Sequence, residues 1–160
     1  MNPIGAQLAK DHEELNELLV RLSQDAAAPS FTELQAIWSQ LEGRLMGHLD
    51  AEEHYLLPLV EAGHPAETER TRAEHLRIRR MVTELGVAVE LHAARQPVID
   101  ELIRMLREHA EWEDKTLYRW ASDSASTSVQ QSVSSKLKSA ARSALAAVTK
   151  LTARASNATG

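Results

Sequence analysis

The sequence predicts an all-α protein: an up-down-up-down four-helix bundle with an additional C-terminal amphipathic helix or flexible tail. Three observations carry this. Leucine and other apolar residues recur at three- and four-residue spacing in four separate stretches, the period of an amphipathic helix rather than of a strand. Short segments bearing Pro, Gly and Ser join these stretches, as neighbours in a bundle require. Finally, residues 41–56 are repeated as residues 102–117: Leu41 pairs with Leu102, Leu45 with Leu106, His48 with His109, Glu52 with Glu113, Glu53 with Asp114 and Leu56 with Leu117.

The first helix is expected to open at Asn2-Pro3, an N-cap followed by a proline at N1, with the inner stripe Leu8, His12, Leu15, Leu19 and Leu22. Residues 26–29 read as a turn. Ser30 and Glu33 make a capping box for the second helix, whose stripe is Leu34, Trp38, Leu41, Leu45, His48, Glu52, Tyr55 and Leu59. Pro58 kinks or ends its last turn, and Gly63 is the expected C′ residue. A third helix starts at Pro65 with the stripe Thr71, His75, Ile78, Val82, Leu85 and Val89, and Arg95-Gln96-Pro97 ends it. The fourth carries Ile99, Leu102, Leu106, His109, Glu113, Leu117 and Trp120.

The bundle is assigned to residues 1–121. Residues 122–135, rich in Ser, Thr and Gln, read as a linker, and residues 122–160 together as a Ser/Ala-rich linker and basic amphipathic tail. Val129, Val133, Leu137, Ala140, Ala144, Val148 and Leu151 recur there at helical spacing. This segment is a fifth helix packed on the bundle, or one that docks to an acidic partner or an anionic membrane surface.

Composition narrows the function classes. No cysteine is present, which excludes disulfides, thiolate metal sites and cysteine nucleophiles. No stretch reaches the roughly 18 apolar residues of a transmembrane helix, and the N-terminus lacks the pattern of a signal peptide, so a cytoplasmic protein is expected. Residues 1–123 carry all 23 acidic groups and 13 of the 18 lysines and arginines, an acidic body that disfavours nucleic acid as a partner. Oligomeric state is not encoded legibly.

The chemistry lies in the repeat. Residues i and i+4 share a helix face, so each copy points an imidazole and a carboxylate where core side chains belong. Such groups buried without partners cost roughly several kcal/mol each. His12 and His75 stand on the inner stripes of the preceding helices, so four imidazoles and two carboxylates (His12, His48, Glu52, His75, His109 and Glu113) can meet at one level of a bundle. That donor set suits a pair of first-row transition ions, with each glutamate able to bridge both. Either residue type alone is common on helices; six on inner stripes, in a duplicated order, point to a metal centre.

The order His12, His48-x-x-x-Glu52, His75, His109-x-x-x-Glu113 resembles the hemerythrin-like (HHE cation-binding) proteins, as does residues 51–58, Ala-Glu-Glu-His-Tyr-Leu-Leu-Pro. The resemblance covers about residues 8–120. It implies two iron ions per chain as an oxo- or hydroxo-bridged di-iron centre inside a four-helix bundle, and a small gaseous or peroxide ligand. Ferritin-like di-iron proteins use Glu-x-x-His instead. Against the oxygen-carrying members, Arg79 stands where a further histidine ligand is found, and Glu113 at i+4 replaces an aspartate at i+5. Loss of that histidine argues against reversible oxygen storage.

Tyr55, at i+7 from His48, is the candidate phenolate ligand for the open position; a tyrosine bonded to a ligand, or a packing residue, is the alternative. His54, His64 and His92 are expected outside the site, Arg79 either neutralises acids near it or reaches the surface, and Trp38, Trp112 and Trp120 are read as packing residues. The centre then either turns over hydrogen peroxide or nitric oxide, as a peroxidase-, catalase- or nitric oxide reductase-like enzyme, or binds, stores or senses dioxygen, nitric oxide or iron without turnover.

Overall fold

The computed structural model describes residues 3–25 and 30–158, and among these every regular element is helical. Helix α1 spans Pro3–Asp25, α2 Phe31–Ala51, α3 Leu57–Val60, α4 Pro65–Glu90, α5 Gln96–Lys115, α6 Leu117–Ser124 and α7 Thr127–Ala158. A π-helical turn, Glu52–Leu56, joins α2 to α3. The expected N-cap Asn2 and the turn at 26–29 lie outside the described residues.

Helices α1, α2, α4 and α5 close a ring in which α1 touches α2, α2 touches α4, α4 touches α5, and α5 returns to α1. Each turns inward the stripe its sequence sets apart: Leu8, Leu15, Leu19 and Leu22 of α1, Leu41 and Leu45 of α2, Ile78, Val82 and Leu85 of α4, and Ile99, Leu102 and Leu106 of α5 are all buried. Ser30 caps α2, its hydroxyl accepting from the Glu33 N–H at 3.4 Å.

Helix α4 ends in the residue that sequence reasoning passed over. His92 takes the left-handed conformation at φ 55°, its N–H bonds to Val89, and the Ala93 N–H reaches back to Ala88, the hydrogen-bond pattern of a Schellman cap. The His92 ring rests on Phe31. Gly63, by contrast, has no positive φ, so its expected role as a left-handed cap is not the one it plays.

Residues 122–135 are not a linker. Residues 122–124 close α6, and α7 begins at Thr127 and runs unbroken through the rest, with Val133 fully buried in the cluster of Ile4, Leu8, Leu56 and Leu57. A polar stretch on one face of a helix looks like a linker when its apolar partners are only Val129 and Val133. The helix lies along α2, where small residues let the two backbones close: a Cβ on Gly47 would sit 2.1 Å from that of Ala140, and one on Gly43 would sit 3.3 Å from that of Ala144. The core falls into two parts. One apolar cluster surrounds Leu41, Leu45, Ile78 and Leu102, and the other surrounds Leu56, Leu117 and Val133. Between them lies a layer of buried histidine and glutamate.

Candidate metal centre

The six side chains singled out by the repeat all reach this layer. His48 and His109 are at most 6% exposed, and Glu52, His75 and Glu113 are fully buried. They form two overlapping groups, His12, His48, Glu52 and Glu113, and His75, His109, Glu52 and Glu113, with the ligand atoms of each group within 4.8 Å of one another. The two glutamates belong to both groups. All four imidazoles turn Nε2 inward. His12 Nε2 lies 3.5 Å from Glu113, His48 Nε2 3.3 Å from Glu52, and His75 Nε2 3.4 and 3.5 Å from Glu52 and Glu113. His109 Nε2 stands 3.0 Å from Glu113.

What fixes these rings is a second set of carboxylates on their outer nitrogens. Asp11 of α1 meets His48 Nδ1 of α2 at 2.7 Å, and Glu53, beside Glu52, meets His75 Nδ1 of α4 at 2.9 Å. Glu74 of α4 meets His109 Nδ1 of α5 at 2.9 Å, and Asp114 of α5 meets His12 Nδ1 of α1 at 3.2 Å. Each helix thus holds the histidine of the next, once around the ring. Carboxylates on the outer nitrogen orient an imidazole and raise its strength as a ligand. Arginines hold three of the four acids: Arg44 bonds Asp11, Arg79 lies 3.4 Å from Glu53, and Arg70 bonds Glu74. Arg79 also bonds Asp50 at 2.9 Å, so it neutralises acids beside the site.

Sequence reasoning placed the tyrosine at Tyr55, but the hydroxyl in the site belongs to Tyr118. It donates to Glu52 Oε1 at 2.5 Å and lies 2.9 Å from His12 Nε2 and 3.3 Å from His48 Nε2. Tyr55 packs instead against the apolar cluster around Leu56, with His54 its neighbouring ring. The cause is the π-helical turn that opens at Glu52 and contains Tyr55, which takes Tyr55 off the α-helical stripe. The second copy breaks at the same place, Thr116, where α5 ends and α6 begins, and this break brings Tyr118 inward. His54 and His92 are exposed, while His64 stacks on Trp120, all outside the site.

The electrostatics are those of a site held together by protons when no metal is bound. Burial pushes His48 down, but Glu52 and Asp11 outweigh it and hold the imidazole at about 10. Against the same burial, Glu113, Glu52 and Glu53 raise His75 to about 11, and Glu113 and Glu74 raise His109 to about 9. Burial and Glu113 push Glu52 up, yet His48 and His75 hold it at about 2. Burial and the two glutamates raise Tyr118 well above its ordinary value.

The network nevertheless leaves atoms unsatisfied. Glu52 Oε2, Glu113 Oε2 and His109 Nε2 are buried without a hydrogen bond. Four inward imidazole nitrogens and two carboxylates on a common centre match the borderline N/O preference of first-row divalent and trivalent ions. The residues fit a metal pair.

A family model for the hemerythrin HHE cation binding domain matches residues 4–157. The chain belongs to the hemerythrin family. The match reaches well past residue 120, where the resemblance read from the sequence stopped, and takes in α7. No curated protein and no solved structure matches the chain. Among the described residues no helix is long and apolar enough to cross a membrane.

Proposed function

We propose that this hemerythrin-family chain is a non-haem di-iron protein that reacts with small diatomic or peroxide ligands. The observation that carries this reading is the sharing of Glu52 and Glu113 by two histidine pairs. His12 and His48 would hold one ion, His75 and His109 the other, with both glutamates between them in an up-down-up-down bundle of α1, α2, α4 and α5. An iron pair supplies redox chemistry towards dioxygen, nitric oxide or peroxide.

The chain's own residues orient and enclose. The four outer carboxylates fix the imidazoles, and the leucine layers on either side keep bulk water away. A cavity of about 40 Å³, lined by Leu15, Leu19, Leu41, Leu45 and Leu106, touches His12, His48 and His109. It has room for a molecule of one or two heavy atoms, and Asn16 and Arg107 join the three histidines as its polar lining.

Turnover is tested by adding hydrogen peroxide or nitric oxide in excess to iron-loaded protein. Sustained consumption over many equivalents, lost in His48→Ala/His109→Ala, supports an enzyme. Stoichiometric, reversible uptake supports binding, storage or sensing instead.

One observation favours a sensor as the second reading. Lys136 of α7 lies 3.2 Å from Asp50, Asp50 bonds Arg79, Arg79 approaches Glu53, and Glu53 holds His75. This chain of charges links the centre to the C-terminal helix. Lys138, Arg142, Lys150 and Arg154 remain exposed on α7 for an acidic partner.

A further inference from the structure

We infer that Tyr118 is itself a metal ligand, completing the His12–His48 half of the centre. The inference rests on the di-iron reading. Two ligands at right angles, each about 2.1 Å from one ion, stand about 3 Å apart. The Tyr118 hydroxyl is 2.5, 2.9 and 3.3 Å from Glu52 Oε1, His12 Nε2 and His48 Nε2. His48 Nε2 is in turn 3.3 Å from Glu52 Oε1, and His12 Nε2 3.5 Å from Glu113 Oε2. The spacings are those of neighbouring corners of one coordination polyhedron.

Hydrogen bonding alone explains the arrangement less well. The single phenol proton goes to Glu52. Asp11 and Asp114 hold the outer nitrogens of His48 and His12, so both rings present Nε2 to the same oxygen. Three ligand atoms thus converge on one phenol oxygen that has a single proton to give. On coordination the phenol O–H bond breaks heterolytically, the proton leaves to water, and no electron is transferred. Tyr118 also lines a groove with Asp114 and Arg119.

The two halves are therefore unequal. In the repeat, Leu57 stands where Tyr118 does, so the second ion has no phenol. His12, His48, Glu52, Glu113 and Tyr118 give the first ion five protein ligands, whereas His75, His109, Glu52 and Glu113 give the second four.

The test compares wild type, Tyr118→Phe, Tyr118→His and Tyr55→Phe, each loaded with ferric iron and assayed for iron per chain, visible absorption and resonance Raman scattering. Wild type and Tyr55→Phe should show a visible phenolate-to-iron band with enhanced tyrosinate ring modes. Tyr118→Phe and Tyr118→His should lose both while retaining iron. A band that survives in the Tyr118 variants, or iron-loaded wild type without tyrosinate modes, overturns the assignment. Failure of wild type to take up iron overturns the di-iron reading instead. The tyrosine is then read with zinc, whose binding should give an ultraviolet phenolate difference spectrum in wild type and none in Tyr118→Phe. Absence of that difference overturns the inference.

Discussion

Single residues decide how the centre holds its ligands. Asp11 is 5% exposed and bonds the outer nitrogen of His48, and Arg44 keeps it in place. Asp11→Asn leaves the six inner residues unchanged but weakens the carboxylate that orients the ring. We expect metal affinity to fall by about 10- to 100-fold in chelator competition; an unchanged affinity would remove the outer carboxylates from the account. The raised histidines also make the metal-free chain sensitive to pH. His48, His75 and His109 have folded values above the ordinary 6.5, so their contribution is complete below about 6.5 and is lost as pH rises through about 9 to 11. Glu52 works in the opposite direction: its contribution is present above its ordinary 4.5 and is lost as pH falls towards about 2. The denaturation midpoint of the metal-free protein should therefore decline from near-neutral to alkaline pH. The metal-loaded protein should not follow that decline, because ligated imidazoles no longer exchange a proton at Nε2.

Elements, rather than residues, explain where sequence reasoning succeeded and failed. The convergence of the six inner side chains was legible because a helix repeats its faces, and His48 and His109 each stand one turn before the glutamate that shares their face. Tyr118 was not legible because it follows a break at Thr116, and Tyr55 misled because the π-helical turn that opens at Glu52 shifts the register. The outer carboxylates did leave a signal, since each adjoins an inner residue: Asp11-His12, Glu74-His75, Glu52-Glu53 and Glu113-Asp114. The sequence could not show which histidine each would reach, because that depends on how neighbouring helices are staggered. Helix α7 was legible as a helix, but its seat on α2 depends on Gly43 and Gly47 meeting Ala144 and Ala140, a pairing visible only once both helices are placed. Gly47→Leu should force α7 off α2, costing about 1–3 kcal/mol as overpacking does, with faster amide exchange across α7. Lys136→Ala breaks a half-exposed pair and should change stability by no more than about 1 kcal/mol in the same measurements.

At the scale of the whole molecule, the metal layer is a polar plate between two apolar clusters, and the ring of carboxylate–histidine contacts ties α1, α2, α4 and α5 together at that level. On the proposed function, metal binding and folding would be coupled: the ions would replace the protons that bridge the layer in their absence and would satisfy the buried, unbonded Glu52 Oε2 and Glu113 Oε2. Metal removal should lower the melting temperature of the whole chain in one cooperative step, because both apolar clusters border the layer. Differential scanning calorimetry of loaded and chelator-treated protein checks this, and an unchanged transition would mean that the layer does not depend on metal. The central claim is that one pair of ions shares Glu52 and Glu113. Its most direct test is Mössbauer spectroscopy of the iron-loaded chain with iron quantified per chain, wild type beside Glu113→Ala. The account predicts two irons per chain, magnetically coupled as a pair, with the coupled signal lost in the variant. A single iron, or two that are uncoupled in wild type, would contradict it.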